Sequence, residues 1–256
     1  MSAPSIELFA VPDLPMVQAG DDLAALVDRA MRAAGQQLRD RDVVVFAQKV
    51  VSKSEGRRVD MAGVVPSPRA LEIAAEVRKD PRLVELVLQE SKRIVRKIPD
   101  VLIVEHRLGL VMANAGVDQS NVADQAGGEY ALLLPVDPDA SAERLRGDFR
   151  RLTGRDVAVV INDSFGRPWR QGTVGVAIGC AGLPALVDLR GTPDLFGRTL
   201  KVTVIAYADE LAAAASLLMG QATEGRPVVV VRGLEPTAPA TPAMSIVRDA
   251  REDLFQ

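Results

Sequence analysis

Cysteine, histidine and tryptophan occur once each in these 256 residues, as Cys180, His106 and Trp169. A single cysteine excludes an intrachain disulfide and a cysteine zinc cluster. A single histidine excludes a multi-histidine zinc centre within one chain. No motif around Cys180 or His106 supports a Cys–His catalytic pair, and Cys180 reads as a small core residue. A basic excess is also missing. The formal net charge of −3 argues against a nucleic-acid protein held by bulk electrostatics. It leaves room for a small anion in a local basic pocket. No apolar run reaches membrane-spanning length. The opening MSAPSIELFAVPDLP has no charged n-region and no long apolar core, so no signal peptide is expected. The expectation is a cytoplasmic protein with neither a membrane nor a nucleic-acid partner. Neither G-x-x-x-x-G-K-[ST] nor G-x-G-x-x-G occurs, so the P-loop and Rossmann phosphate cradles are both absent. Any metal must be held by carboxylate, hydroxyl, amide or carbonyl oxygens, a donor set that suits magnesium or manganese.

What is present is an ordinary globular composition, 48% apolar and 25% charged. The length suits a real core, as one domain over 1–256 that two subdomains could share. Residues 5–11 read as a short strand. Gly20-Asp21-Asp22 starts a helix whose apolar stripe is Leu23, Leu26, Val27, Ala30, Met31 and Ala34. Val43 to Ala47 is a buried strand running into QKVVSKSEGR (48–57), where Lys49 and Lys53 alternate with apolar and hydroxyl residues. Ser67-Pro68 and Asp80-Pro81 each look like an N-cap followed by proline at the first helical position. They predict helices over 68–79 and 81–92. The basic run KRIVRK (92–97) is either a solvated helix end or an anion-facing segment. Val101–Glu105 and Leu110–Ala113 make a hairpin. Tyr130–Val136 is a strand, and Ser141 caps a helix that Gly154 ends. Leu200 to Tyr207 alternates as a strand. Asp209 caps an alanine-rich helix that stops at Gly220, and Val228–Val231 is a last buried strand. Residues 234–244 form a Pro/Ala/Thr-rich arm. Strands and helices mix without a regular βαβ rhythm and without an internal repeat, so the fold class is α+β, with mixed sheets and packed helices.

One stretch organises the rest, VAVVINDSFGRPWRQG (157–172). Val157 to Ile161 reads as a strand buried on both faces, which then breaks into Asn162, Asp163 and Ser164. A carboxylate at the exit of a buried strand is costly unless something binds it. Followed by a hydroxyl, Arg167 and Arg170, it suits a metal and phosphate locus. The other reading is a loop with a satisfied aspartate and surface arginines. The hairpin strand ending at Ala113 empties into a similar turn, ANAGVDQSN (113–121), bearing Asp118. Two aspartates at strand exits could converge on one cation. Trp169 either packs or stacks on an aromatic ligand. Gly172 to Leu186 is small and apolar, and its glycines permit close backbone approach to a strand or a ligand.

Several blocks together resemble the coenzyme F420-0:gamma-glutamyl ligase family, whose members attach glutamate to a deazaflavin redox cofactor. They are KVVSKSEGR (49–57), EHRLGLV (105–111), AGVDQSN (115–121), LLPVDPDASA (133–142), DSFGRPWRQG (163–172), VGVAIGCAGL (174–183), ADELAAAASLLMGQATEGRPV (208–228) and EDLF (252–255). The resemblance spans nearly the whole chain, in the form that stands alone without a nitroreductase-like extension. It implies that Asp118 and Asp163 hold divalent metals. Ser164, where the family often has threonine or an acid, and Gln221 would be further metal ligands. It implies GTP contacts at Leu14, Pro15, Met16 and Val17, at Lys53 and Asn121, and along Met219, Gly220, Gln221, Ala222, Thr223, Glu224, Gly225 and Arg226. Gln48 departs from the pattern, which has serine at that nucleotide contact. The implied cofactors are two divalent cations, Mg2+ or Mn2+, with K+ as an additional cation. The implied partners are GTP, coenzyme F420-0, L-glutamate and a second copy in an intertwined homodimer with the site near the junction. In the implied reaction the acceptor's carboxylate attacks the γ-phosphorus of GTP. Glutamate's amine then displaces phosphate from the acyl phosphate, leaving an amide and GDP. No protein nucleophile is needed. Arg167 and Arg170 are anion-orienting candidates on the residues' own chemistry. Two alternatives stay open: a nucleotide- or deazaflavin-binding protein without ligase activity, and a ligase for a different carboxylate acceptor.

Overall fold

Valine-rich segments from distant parts of the chain meet in one sheet in the computed structural model, which describes residues 3–120, 128–236 and 238–252. In chain order the elements are β1 (Glu7–Ala10), α1 (Leu23–Ala33), β2 (Val43–Ala47), α2 (Gln48–Ser54), β3 (Arg58–Asp60), α3 (Pro68–Val77), α4 (Pro81–Gln89), β4 (Ser91–Ile98), β5 (Val101–His106) and β6 (Val111–Ala113). They continue with β7 (Tyr130–Leu132), α5 (Pro138–Thr153), β8 (Ala158–Arg167), β9 (Arg170–Ala181), β10 (Val187–Asp188), β11 (Val204–Ile205), α6 (Tyr207–Met219) and β12 (Val228–Arg232). The architecture is α+β, as expected. None of the described helices is long and apolar enough to cross a membrane.

The central sheet runs β1-β12-β2-β8-β9. Only β2 and β8 are parallel; the other neighbours are antiparallel. Side chains alternate across the pleat. Val44, Phe46, Val159, Ile161 and Val230 enter a core shared with α1 and α5. Val43, Val45, Val160, Val229 and Val231 enter a second core under α6. With helices on both faces, residues 43–46, 158–161 and 228–231 are buried on either side of the pleat, which is why they read as continuous apolar runs. Each such residue taken out of water contributes roughly 1.5–3 kcal/mol. Asp42, at the entry to β2, is buried and receives both Nε and Nη2 of Arg232, at 2.9 and 2.7 Å, pinning β12 to β2.

The small residues of β9 let the helices close on the sheet. A Cβ on Gly175 would lie 2.4 Å from the Ala212 carbonyl oxygen in α6. One on Gly179 would lie 2.4 Å from the Pro138 carbonyl oxygen in α5. The close approach expected of this glycine-rich stretch is therefore to helices. Cys180 is buried beside them, and its thiol is pushed up to about 12 by burial and by nearby Asp139.

A third core joins α3 and α4 to β5, with Ile94 of β4 packed against it. Ser67 and Asp80 cap the two helices, accepting from the N–H groups of Ala70 and Arg82, with proline in the first turn of each. The helices end earlier than expected, and KRIVRK is strand rather than helix. Its register on β5 is interrupted twice. Glu90 ties this unit to the rest. It is 6% exposed and meets Arg107 Nη2 at 2.9 Å, Arg57 Nη2 at 3.2 Å and His106 Nε2 at 3.5 Å.

Other boundaries also differ from the sequence reading. Gln48–Ser54 is a helix. Asp137, not Ser141, caps α5, while the Ser141 hydroxyl donates to Glu55 at 2.6 Å. The strand over 130–136 shortens to β7, and that over 200–207 to the two residues of β11. Asp209 lies inside α6, where it accepts from the Ala177 N–H of β9 instead of capping the helix. Gly154 ends α5 at φ 70°, as expected. The arm over 234–244 is tacked to the body, with Ala243 N and Met244 N donating to the Asp139 carboxylate.

Two changes test this packing. Gly179→Ala should lower stability by about 1–3 kcal/mol through overpacking. Gly147→Ala, on an exposed turn of α5 where an added Cβ meets nothing within 4 Å, should raise it by roughly 0.5–1 kcal/mol in urea unfolding. Burial pushes Glu90 up, but His106, Arg107 and Arg57 outweigh it and hold its carboxyl below the ordinary 4.5. Its stabilisation is therefore complete above that value and drains as the pH falls below it toward the folded pKa. Glu90→Gln should cost roughly 1.5–3 kcal/mol at neutral pH. Chemical denaturation from pH 7 to 3 should show the gap to the parent closing at the acid end.

Candidate active site

Parallel neighbours bring their carboxyl ends to the same side of a sheet. β2 and β8 pair from Val43↔Ala158 to Ala47↔Asn162, so Gln48 and Asp163 leave the paired region together. Asp163 was expected in a loop after the strand breaks. Instead β8 runs on to Arg167, and Asp163 pairs with Val176 in a long hairpin with β9. The aspartate is held on a strand, not on a loose turn.

Asp118 arrives from the other side. After β6 the chain turns through Asn114, Ala115 and Gly116 at φ 53°, 52° and 67°, three left-handed residues in succession. Ala115 is fully buried. Such a backbone is costly away from glycine and persists only where its surroundings impose it. Asp118 is then fixed by reciprocal backbone hydrogen bonds to Leu132, at 3.0 and 2.8 Å. Its Oδ1 accepts from the Ser120 N–H at 2.7 Å and its Oδ2 meets Lys49 Nζ at 2.7 Å. Lys49 also donates to the Ser120 hydroxyl at 2.7 Å. Burial pushes the Asp118 carboxyl up, but Lys49 and the Ser120 N–H outweigh it and bring it below the usual value. Asp163 goes the other way. Burial pushes it up, the Ser164 N–H draws it down, Asp118 pushes it up and Lys49 draws it down, with a net rise to about 6. The Asp118 charge thus acts on Asp163.

Ser164 and Asn162 follow Asp163's neighbours onto the opposite face of β8. The Ser164 hydroxyl donates to Gln221 Oε1 at 2.8 Å. Asn162 Nδ2 lies 3.4 Å from Met219 Sδ, and its buried Oδ1 has no hydrogen-bond partner among the described residues. The four oxygen-bearing side chains expected to hold metal therefore form two pairs flanking one strand. Among the described residues no three His, Cys, Asp or Glu side chains cluster. The donors are carboxylate, hydroxyl and amide oxygens, which fit hard divalent cations.

The segment Met219 to Arg226 begins at the end of α6. Gly220 has φ 70° and ψ −174°, a conformation essentially reserved for glycine. A Cβ there would lie 2.1 Å from the Glu224 carboxyl carbon. Glu224 accepts from the Ala222 N–H at 2.8 Å, closing an exposed loop that carries Gln221, Thr223, Gly225 and Arg226. The loop with Leu14, Pro15, Met16 and Val17 is tied to the end of α2 by the Gly20 N–H to the Ser54 carbonyl, at 2.8 Å. Met16 is exposed and Val17 buried. Lys53, on α2, has its pKa lowered by burial, then by Lys49 and Arg58. Gln48 is buried, its carboxamide oxygen accepting from the Ser52 hydroxyl. Asn121 lies outside the described residues.

Arg167 and Arg170 face each other as the last pair of the β8–β9 hairpin. Trp169, between them at φ 56°, is 82% exposed, so it is not packed in the core. Like charges directly opposite on a ladder are unfavourable without an anion nearby. Sequence reasoning missed Lys49, Ser120 and Asn162 as site residues. The available signal for Lys49 was its place in the first turn after a buried strand.

The F420-0:Gamma-glutamyl ligase family profile matches residues 13–233. The chain is 50% identical over 228 residues to the coenzyme F420:L-glutamate ligase of Methanothermobacter thermautotrophicus, covering 89% of each chain. It is 46% identical over 257 residues to that of Methanopyrus kandleri, covering 99% of this chain and 98% of the relative. To that of Methanocaldococcus jannaschii it is 40% identical, covering 95% of this chain and 94% of the relative.

A carboxyl whose folded pKa is raised favours the folded state at low pH and withdraws that contribution as the pH climbs through the folded value. Asp163→Asn should therefore leave metal-free stability near that of the parent at pH 4. It should stabilise the protein progressively up to a plateau above pH 6. Thermal melts in chelator across that range read the difference directly.

Proposed function

The chain belongs to the F420-0:gamma-glutamyl ligase family, and we propose that it joins L-glutamate to coenzyme F420-0 with GTP and divalent cations. The observation that carries this reading is that Asp118, beyond β6, and Asp163, on β8 past its pairing with β2, both feel the Lys49 charge, with Ser164 next along β8 bonded to Gln221 of the Gly220–Arg226 loop. Asp118 and Asp163 on one face of β8, with Ser164 and Gln221 on the other, supply two oxygen sets for two cations, Mg2+ or Mn2+. When bound, such cations neutralise phosphate oxygens in phosphoryl transfer.

The chain's own groups do the positioning. Lys53 and the backbone of the Met219–Arg226 loop hold the nucleotide, with the loop around Leu14–Val17 closing beside α2. The opposed Arg167 and Arg170 orient the acceptor's anionic groups, and the exposed Trp169 offers a face to its deazaflavin ring. The acceptor's carboxylate takes the γ-phosphoryl group of GTP, releasing GDP. The glutamate amine then attacks the acyl phosphate, forming the amide and releasing phosphate. No side chain becomes covalently attached, in keeping with the absence of an activated nucleophile around Cys180, whose thiol stays protonated. Further rounds on the new γ-carboxyl would lengthen the glutamate chain.

A second copy completes the reading. The hairpin of β10 and β11 carries Leu195, Phe196 and Val202 at 98%, 95% and 86% exposure. Apolar side chains so exposed on an arm suit burial in a homodimer. Nucleotide binding without ligation is the second reading, favoured by Gln48, whose side chain is spent on Ser52.

Purified protein incubated with F420-0, GTP, Mn2+ and L-glutamate should yield a product heavier by one or more glutamyl units, with one GDP per unit. Asp163→Asn should lower that rate by more than the roughly 100-fold that loss of an outer-shell partner costs. Bound GTP with no glutamate added would move the second reading ahead.

A further inference from the structure

Lys49 stands where the aspartate pair needs positive charge. Its Nζ is 2.7 Å from Asp118 Oδ2 and 2.7 Å from the Ser120 hydroxyl, and its charge also acts on Asp163. The fold builds this reach. α2 begins directly after β2, so the second residue of the helix lies beside the level at which β8 delivers Asp163. Asp118 is held on both oxygens, Oδ1 by the Ser120 N–H and Oδ2 by Lys49. One of the two Asp118 oxygens, Oδ2, is therefore already occupied by an ammonium group.

We propose that Lys49 is a resident counter-ion of the carboxylate pair: it neutralises Asp118 while no divalent cation is bound, gives up Asp118 when one arrives, and so selects divalent over monovalent cations. The inference rests on the reading of Asp118 and Asp163 as cation ligands. A cation on Asp118 Oδ2 and an ammonium on the same oxygen would repel at short range, so the two compete. The exchange is not symmetrical in charge. A monovalent ion that displaces Lys49 leaves the pair with the charge it had. A divalent ion adds one unit of positive charge between two carboxylates, one of which, Asp163, is otherwise paired only through its neighbours. The lysine side chain is 30% exposed on a flexible stem, so it can leave without moving the helix. Lys53, one turn further along α2, adds a second positive charge behind it and favours its departure.

Calorimetric titration of the metal-free, nucleotide-free protein with Mn2+ tests the exchange, using Lys49→Met, Lys49→Gln and Lys49→Arg. Both neutral variants should bind Mn2+ about tenfold tighter than the parent, and Lys49→Arg should stay close to it. Potassium should weaken Mn2+ binding to the neutral variants far more than to the parent. The metal-free neutral variants should melt lower than the parent, and Mn2+ should close that gap. Unchanged or weaker Mn2+ binding in both neutral variants would overturn the proposal. A folded parent that binds no Mn2+ would overturn the metal reading beneath it, an outcome distinct from the first. Should Lys49→Met fail to fold, Lys49→Gln carries the same comparison.

Discussion

Asp118 and Asp163 lie close enough for the charge of one to raise the proton affinity of the other, and positive charge has to stand near both. Much of the surrounding structure answers that need. Lys49 and the Ser120 N–H meet it for Asp118. Asp163 accepts from the Ser164 N–H at 2.8 Å, and its carboxyl, pushed up chiefly by burial, stays high at about 6.

The scaffold makes that convergence rigid. β2 and β8 are the parallel pair of the central sheet, and residues 43–46 and 158–161 are buried on both faces, so the two strands cannot shift independently there. Gly175 and Gly179 allow α6 and α5 to close on β9, which fixes the partner strand of Asp163. Asp118 hangs on a different unit, the sheet of β4, β5 and β6 with its own core. The left-handed turn at Asn114–Gly116 and the paired bonds to Leu132 bring it across. The Glu90 cluster of Arg57, Arg107 and His106 links that unit to α2 through the chain following it. Asp118, Asp163, Ser164 and Gln221 offer oxygen atoms alone, in a chain with one histidine and one buried cysteine.

The buried strands were legible because burial on both faces leaves an unbroken apolar run, as in Val43–Ala47 and Val228–Val231. The helix starts at Ser67-Pro68 and Asp80-Pro81 were legible because capping chemistry is local. The fate of 92–97 was not, since charged side chains suit an exposed strand as well as a helix end. Pairing with β5, a long-range contact, decides it. The same reason hid the continuation of β8 past Asn162. Its polar residues read as a break, and only β9 supplies the partner that keeps them extended. Residues 200–207 alternate like a strand, yet the backbone bonds that Leu200 and Thr203 make to residues 189–192 do not extend the ladder, so β11 is two residues long. At the site, the two aspartates were visible as carboxylates at apparent strand exits. Lys49 was not, because its role depends on a residue 69 positions away in sequence meeting it in space. The division of the four expected ligands into two pairs follows from side-chain alternation along β8, which a loop reading of Asp163 and Ser164 could not reveal.

The central claim is that the two strands deliver their carboxylates to shared divalent cations. Crystals soaked in manganese, with anomalous diffraction collected at the manganese edge, address it most directly. The account predicts anomalous peaks about 2.0–2.3 Å from carboxylate oxygens of Asp118 and Asp163, with Lys49 Nζ moved off Asp118. Anomalous density only elsewhere on the protein, with the Lys49–Asp118 pair intact, would contradict it.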